Sequence, residues 1–224
     1  MTLEELIIRF RFEAKDSRKP YLWSDELVIS FLNEAERRAC ICGRLLLEEE
    51  DEEICSIGLS VGSQTYDLHP KLYEIVSLGM ANQAGELRPI DLRSREWLNA
   101  SDPSWRENTN LAYAAIQGES KIRIVGEIIA GDELRIEGYR LPMGDMKEGR
   151  DCPEIHEAHH VHLLDWVKHK AFSVPDSDGF DPGRAAMHED KFTQHFGPMP
   201  DSDLRRSTRF DAVQHNKAYI LDHC

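Results

Sequence analysis

The sequence contains no long apolar run, and this bears on membrane insertion. Its 224 residues include no stretch of about 18 apolar residues, the length that a membrane-spanning helix needs. The opening segment, residues 1–6, carries two glutamates where a secretory signal peptide carries basic residues. We therefore predict that the chain has no membrane partner and is not exported.

Cysteine is also scarce. There are five cysteines, an odd number, and no two of them form a C-x-x-C pair, so neither a disulfide scaffold nor a zinc ribbon is indicated. A chain of this length buries about 70% of its unfolded surface and can fold without a disulfide or a metal. We predict reduced thiols at Cys40, Cys42, Cys55, Cys152 and Cys224.

Positive charge is in deficit. The 27 lysines and arginines face 41 aspartates and glutamates, which gives a formal net charge of -14 at pH 7. Such a surface repels the phosphate backbone, so we predict that the body of the protein does not bind nucleic acid tightly. The same surface is compatible with a pore through which DNA passes without specific binding.

Common catalytic motifs are missing as well. The sequence has no G-x-S-x-G elbow, no Walker loop and no G-x-G-x-x-G. One segment still needs a test, because His156-Glu157-Ala158-His159-His160 matches H-E-x-x-H. In zinc hydrolases of this pattern the two outer histidines lie one helical turn apart and bind zinc, while the glutamate activates water.

Three observations count against a zinc site here. Pro153 places His156 in the first helical turn, whereas a metal site needs the motif to lie well within a helix. On a helical wheel His160 shares its side with Leu163 and Val167, as a packed histidine does. No residue is marked out as a third ligand. We therefore predict no catalytic residues, no metal site and no cofactor.

Two alternatives to that prediction stay open. One is a zinc-dependent hydrolase that uses His156, Glu157 and His160. The other is opportunistic metal binding by His159, His160 and His162, since histidine is concentrated in this part of the sequence.

Capping signals and apolar periodicity predict four helices. Thr2 with Glu5 forms a capping box, Ser24 is typical of an N-cap, and Asp181 with Pro182 marks the start of the last helix. The acidic run 48–53 is expected to end the second helix, because like charges repel and stay in water. The predicted helices span residues 2–14, 24–47, 156–172 and 182–196.

The middle of the chain has a different pattern. Residues 54–142 contain short segments of partly alternating polarity between turn residues, which predicts a small antiparallel sheet. The fold class is then α+β, a helical bundle of two N-terminal and two C-terminal helices with an inserted sheet. The expected strands cover residues 54–61, 65–68, 73–78, 111–116, 121–125 and 133–139, with a short helix over 90–98.

The last part of the sequence is predicted to be an extended arm. Residues 198–224 have little apolar periodicity, so we place one domain over residues 1–197 and the arm after it. An ordinary frayed terminus is the alternative. The side chains suited to hold a partner are Arg205, Arg206, Arg209, Phe210, Tyr219, Ile220 and Leu221.

The order of these features resembles the head-to-tail adaptor proteins of tailed bacteriophages, also called connector or head completion proteins. The likeness covers about residues 20–197. In that pattern the position of His156 is commonly proline, followed by glutamate and a Tyr-His pair, onto which His159 and His160 fall. The matching segments are residues 22–27, 32–38, 62–68, 74–75, 102–105, 131–134, 139–142, 151–155 and 163–166, together with Phe192 and residues 195–197.

The resemblance implies a structural virion protein rather than an enzyme. Its expected partners are further copies of the chain in a ring of twelve, the portal protein above the ring and a tail or nozzle protein below it. The C-terminal arm is expected to clasp the portal, and the ring to form a channel for DNA in the neck of the virion after assembly in the host cytoplasm. A host protein-binding module unrelated to virions is the remaining alternative.

Overall fold

A computed structural model describes residues 1–175 and 178–200 of the chain. These residues form two compact units. Strands near residues 72–81 and 133–140 supply residues to both. Unit 1 consists of Met1–Cys55, His69–Val76 and Ile136–Pro200, and the described part of unit 2 consists of Ser56–Leu68 and Ser77–Arg135.

The described residues form six α-helices, one 3-10 helix and nine short strands, so the protein is a mixed α+β protein as predicted. None of these helices is both long and apolar enough to cross a membrane. The helices are α1 (Leu3–Ala14), α2 (Asp25–Gly43), α3 (Glu52–Cys55), α4 (Arg95–Ser101), the 3-10 helix (Glu157–His159), α5 (His160–Phe172) and α6 (Pro182–Phe196). The strands are β1 (Leu47–Glu48), β2 (Ser56–Gly58), β3 (Thr65–Asp67), β4 (Leu72–Ala81), β5 (Leu87–Pro89), β6 (Asp91–Leu92), β7 (Ala114–Gln117), β8 (Lys121–Val125) and β9 (Glu133–Arg140).

The predicted helix caps are present. Thr2 Oγ1 accepts a hydrogen bond from the Glu5 amide (3.3 Å) and Glu5 Oε2 accepts one from the Thr2 amide (2.9 Å), which completes the capping box of α1. Asp181 caps α6 through the amide of Arg184, and Pro182 is the first helical residue. The predictions for helices 2–14 and 182–196 are confirmed.

The prediction for the second helix was too long. It runs only from Asp25 to Gly43, because Arg44 adopts the left-handed conformation (φ 51°) and the chain then enters β1. The acidic run that follows is not simply solvated: Glu48 accepts a hydrogen bond from Arg140, and residues 52–55 form α3. Apolar spacing continued past the true helix end and produced the error.

Unit 1 has a single hydrophobic core built from four helices. The amphipathic faces of α1, α2, α5 and α6 contribute to it, which explains why their apolar residues recur at helical spacing. Strand β9 adds the pairs Leu47–Tyr139 and Glu48–Gly138 with β1, and it is also hydrogen-bonded to β4. Fully buried core residues include Leu6, Phe10, Leu32, Leu164 and Phe192.

Unit 2 is built on a four-stranded sheet with the order β3-β8-β7-β6. Strands β3, β8 and β7 pair in antiparallel fashion, whereas β6 pairs with β7 in parallel. Helix α4 lies in the connection between β6 and β7, and its Leu98 packs with Trp105, Ile116 and Val125. In the same unit β2 pairs with the first residues of β9, and the end of β4 pairs with β5.

These strands differ in part from the predicted ones. The sequence predicted one small antiparallel sheet, but the strands belong to two sheets and include a parallel pair. The strand expected over 54–61 covers only Ser56–Gly58, because the preceding residues complete α3. The helix expected over 90–98 starts later, where Ser94 accepts a hydrogen bond from the Trp97 amide, since residues 91–92 pair with β7.

Candidate functional site

The H-E-x-x-H segment does not lie on one α-helix. His156 is the N-cap of the 3-10 helix, where its Nδ1 accepts a hydrogen bond from the Ala158 amide (3.2 Å). Helix α5 begins only at His160. The helix expected to start at residue 156 therefore starts four residues later, after a 3-10 turn. Because His156 and His160 do not lie one turn apart on a single α-helix, they lack the arrangement of the two zinc ligands of a hydrolase.

His160 is a packed histidine. Its side chain is buried, its Nδ1 lies 2.8 Å from the amino group of Met1, and its Nε2 donates to the carbonyl of Ile155 over 2.9 Å. Both ring nitrogens thus have partners within the protein. The prediction that this residue packs into the core with a hydrogen bond is confirmed.

Throughout residues 1–175 and 178–200, no group of three or more His, Cys, Asp or Glu side chains is placed to hold a metal ion. Structural and catalytic zinc sites use at least three protein ligands. The geometry therefore gives no support to the zinc-hydrolase alternative built on His156, Glu157 and His160.

Three histidines do meet at one end of α5 and α6. His159 Nδ1 lies 3.0 Å from His195 Nε2, and the His162 ring stacks on the His195 ring with centroids 3.5 Å apart. We call His159, His162 and His195 the histidine cluster. Beside it is an open cleft of about 320 Å³, which Asp165 and Lys191 also line. The sequence indicated His159 and His162 as candidate metal ligands, but it did not connect them with His195, which lies 33 residues after His162.

Burial lowers the pKa of both hydrogen-bonded histidines. For His159 the neighbouring His195, His156 and His160 lower it further. For His195 the charge of His162 lowers the pKa as well, while Asp165 acts in the opposite direction. The lowered pKa values favour neutral imidazoles at His159 and His195, and one of the two rings must donate the proton that the other accepts.

A buried ion-pair network joins α1 to α2. Arg11 donates to Asp16 and Asp25 (both 2.5 Å) and to the carbonyl of Trp23 (2.9 Å), and its guanidinium lies over the Tyr21 ring. Asp16 in turn accepts hydrogen bonds from the backbone amides of Leu22 and Trp23, at the end of the loop before α2. Arg11 lies on a helix with an ordinary polar pattern, and nothing in the sequence distinguished it from exposed arginines.

A second network surrounds Arg140 in unit 1. Arg140 donates to Glu48 (3.0 Å) and Glu154 (2.7 Å), and the amide of Glu154 donates to buried Glu36 (2.6 Å). Burial raises the pKa of Glu36 to about 7, against the hydrogen bonds from the amides of Glu154 and Ile155. This carboxyl therefore changes charge near neutral pH.

The residues predicted for portal binding, Arg205, Arg206, Arg209, Phe210, Tyr219, Ile220 and Leu221, lie outside the described residues. The described chain does include the first residues of the predicted arm. Met199 Sδ lies 3.8 Å from Cys42 Sγ, so this segment is in contact with the end of α2.

Comparison with protein-family models identifies the class of the protein. Residues 1–214 match the model described as SU10 adaptor protein, which indicates a phage head-to-tail adaptor protein. The chain belongs to the SU10 adaptor protein family, since the match covers nearly its whole length. The resemblance found in the sequence is thereby confirmed. A search of the curated proteins found no match.

Proposed function

We propose that the protein forms a ring beneath the portal of a tailed phage and connects the capsid to the tail. Membership of the adaptor family is the observation that carries this proposal, because it implies a connector role in the virion with portal and tail partners. The ring would contain twelve copies and enclose a channel for DNA. Its helices α1, α2, α5 and α6 would form the bundle of the adaptor.

The physical properties of the chain support a structural role. A formal charge of -14 disfavours tight binding of DNA, and a channel that bound DNA would stall it. A closed ring needs two different complementary faces on each copy, and unit 1 has a well-packed core that can hold such faces rigidly. We propose no catalytic activity and no cofactor.

The segment 198–224 is proposed to bind the portal. It would order only when the portal is present, so that the entropy of ordering is lost at assembly and not before. Arg205, Arg206 and Arg209 would pair with carboxylates of the portal, while Phe210, Tyr219, Ile220 and Leu221 would supply apolar anchors.

The adaptor proposal is tested by mixing the purified protein with the portal protein of the same phage and imaging the product by electron microscopy. The expected result is a ring of added density under the portal. Failure of the full-length chain to bind portal would overturn the proposal. Zinc is measured in the same sample, because failure to bind the portal together with stoichiometric bound zinc would favour the hydrolase alternative.

The arm is tested with a variant that lacks residues 201–224 and keeps the described contact between Met199 and Cys42. The variant should keep its circular dichroism spectrum and lose portal binding. A full-length variant with Arg205, Arg206 and Arg209 replaced by alanine should bind more weakly and with less dependence on salt. Its matched control replaces Arg9, Arg37 and Arg150, which lie in the described body. Unchanged portal binding by the shortened variant would refute the proposal that this segment binds the portal.

A further inference from the structure

Hydrogen bonds at three levels link α6 to α5 and to the 3-10 helix that precedes α5. His169 Nδ1 lies 3.0 Å from the carbonyl of Ala185 near the start of α6, and in the middle Asp165 pairs with buried His188 (2.8 Å). At the end of α6 the contact is between His159 and His195. Only this last contact joins two side chains that both become cationic when they take up a proton.

The chemistry of that contact limits it to one protonation range. Two imidazoles 3.0 Å apart form a hydrogen bond only if one nitrogen donates and the other accepts. When both rings are protonated both nitrogens are donors, the hydrogen bond is lost, and two positive charges face each other. The middle contact behaves differently, because the Asp165 carboxylate attracts a charged histidine.

We propose that protonation of His159 and His195 releases the last turn of α6 from the start of α5. The stack of His162 on His195, with ring centroids 3.5 Å apart, reinforces the effect, since the charge of His162 opposes a positive charge on the His195 ring. The transition should have a midpoint below about pH 6.5, because burial and the neighbouring histidines lower the pKa values of His159 and His195.

Other charges around the cluster do not cancel this repulsion. Among the described residues, Asp165 is the acidic side chain that raises the pKa of His195, and it already pairs with His188 and Lys168. His156 and His160 are basic neighbours whose charges lower the pKa of His159. Lys191 lines the cleft beside His195, and Glu157 is the acidic residue of the 3-10 helix, where its exposed side chain is screened by solvent.

The release is expected to be local. Phe192 and Phe196 stay buried in the core of unit 1, and their rings pack together with centroids 4.6 Å apart. They hold most of α6 in place after the histidines are charged. The amides most affected are those of the last turn, including Gly197, which donates to the carbonyl of Thr193 over 2.8 Å. If residues 198–224 are the portal-binding arm, a consequence that rests on the proposed function, this turn is the base of that arm.

The test is hydrogen exchange of the full chain without portal, measured at pH 7.5 and pH 5.5 and corrected for intrinsic rates. In the wild type, amides of residues 194–197 should exchange about tenfold faster or more at pH 5.5, which corresponds to about 1.4 kcal/mol of lost protection. The double variant His159→Gln with His195→Gln should lose this pH dependence. The control His169→Gln, in α5 near the start of α6, should keep it.

Three results would overturn the proposal. Equal protection of residues 194–197 at the two pH values in the wild type is one. Persistence of the pH dependence in the double variant is the second. Should that variant fail to fold, the titration of the wild-type ring protons by NMR decides instead, and midpoints of His159 and His195 at or above the ordinary value of about 6.5 would be the third. Because no portal is used, failure here leaves the adaptor proposal standing.

Discussion

Arg11 and Asp16 form an ion pair of 2.5 Å in which both side chains are 7% exposed. The pair fixes the loop between α1 and α2, because Asp16 also accepts from the amides of Leu22 and Trp23. Trp23 is thereby placed with its indole N–H on the carbonyl of Ala171 in α5 (3.2 Å). One ion pair thus positions a residue that connects three helices of the core.

Replacing Arg11 with methionine should therefore destabilise the protein strongly. The change leaves Asp16 buried without its cation, which typically costs about 3–5 kcal/mol. Urea denaturation followed by circular dichroism measures the loss. The control is Arg9→Met on the same helix, where the side chain is 48% exposed and its pair with Glu13 is expected to contribute less than about 1 kcal/mol. Equal effects of the two changes would contradict the assigned role of Arg11.

Glu36 should make the stability of the protein fall as pH rises. Its pKa is about 7 when folded against an unfolded value of 4.5, so the folded state binds more protons between these values. Glu36→Gln removes the buried charge, and at pH 8 this variant should be more stable than the wild type by about 1–3 kcal/mol. Below about pH 4.5 the advantage should disappear.

The measurement for Glu36 is the free energy of unfolding from pH 4 to pH 8. Glu26→Gln is the matched control, since Glu26 is exposed on the same helix and this variant keeps Glu36, so it should keep the loss of stability with rising pH. His159 and His195 act in the opposite direction, because their pKa values are lowered in the folded state and the protein therefore loses stability as pH falls below about 6.5. A variant that combines Glu36→Gln with His159→Gln and His195→Gln should have a free energy of unfolding that depends least on pH.

The two outer histidines of the H-E-x-x-H segment should differ in their effect on stability. His160→Ala removes a buried ring with partners at both nitrogens and should cost about 2–4 kcal/mol, whereas exposed His156→Ala should cost less than about 1 kcal/mol. Thermal unfolding with and without a chelator checks this. A pair of zinc ligands would give similar losses for both variants and a lower melting temperature with the chelator.

Gly126 should not tolerate a side chain. Its φ is +107°, and an added Cβ would lie 2.7 Å from Ala112 Cα and 2.8 Å from the carbonyl of Asn110, both backbone atoms that cannot move aside. Gly126→Ala is expected to destabilise unit 2 by about 2 kcal/mol or more. The control Gly58→Ala adds a methyl group to open space in the same unit and should be nearly neutral. Hydrogen exchange of β7 and β8 separates the two outcomes.

The sequence predicted those features that depend on neighbours along the chain. Thr2, Ser24 and Asp181 were correctly identified as caps because a cap bonds to an amide two or three residues away. The end of α2 was placed wrongly because Leu45 and Leu46 continue the helical spacing while they pack on the core from a different backbone conformation. Periodicity reports burial, and it does not report the dihedral angles that end a helix.

The candidate sites show the same limit. His160 was recognised as a core residue from its apolar neighbours on the helix, but the contact of His159 with His195 spans 36 residues and has no local signal. The same holds for Glu36, whose carboxyl meets the amide of Glu154 from 118 residues away. Such contacts follow from tertiary packing and cannot be deduced from the spacing of residues in one sequence.

The parallel pairing of β6 with β7 has a consequence for the order in which unit 2 assembles. Strands β7 and β8 are joined by the short turn 118–120 and can form a hairpin, which takes about 1–10 μs in isolated β-hairpins. Strand β6 must instead reach β7 across residues 93–113, so the entropy of closing that connection is lost before any pairing compensates for it. The pairing of β6 with β7 should thus be a late and rate-limiting step in the folding of unit 2. Until β6 pairs, the backbone hydrogen-bonding groups at that edge of β7 can bind strands of other chains.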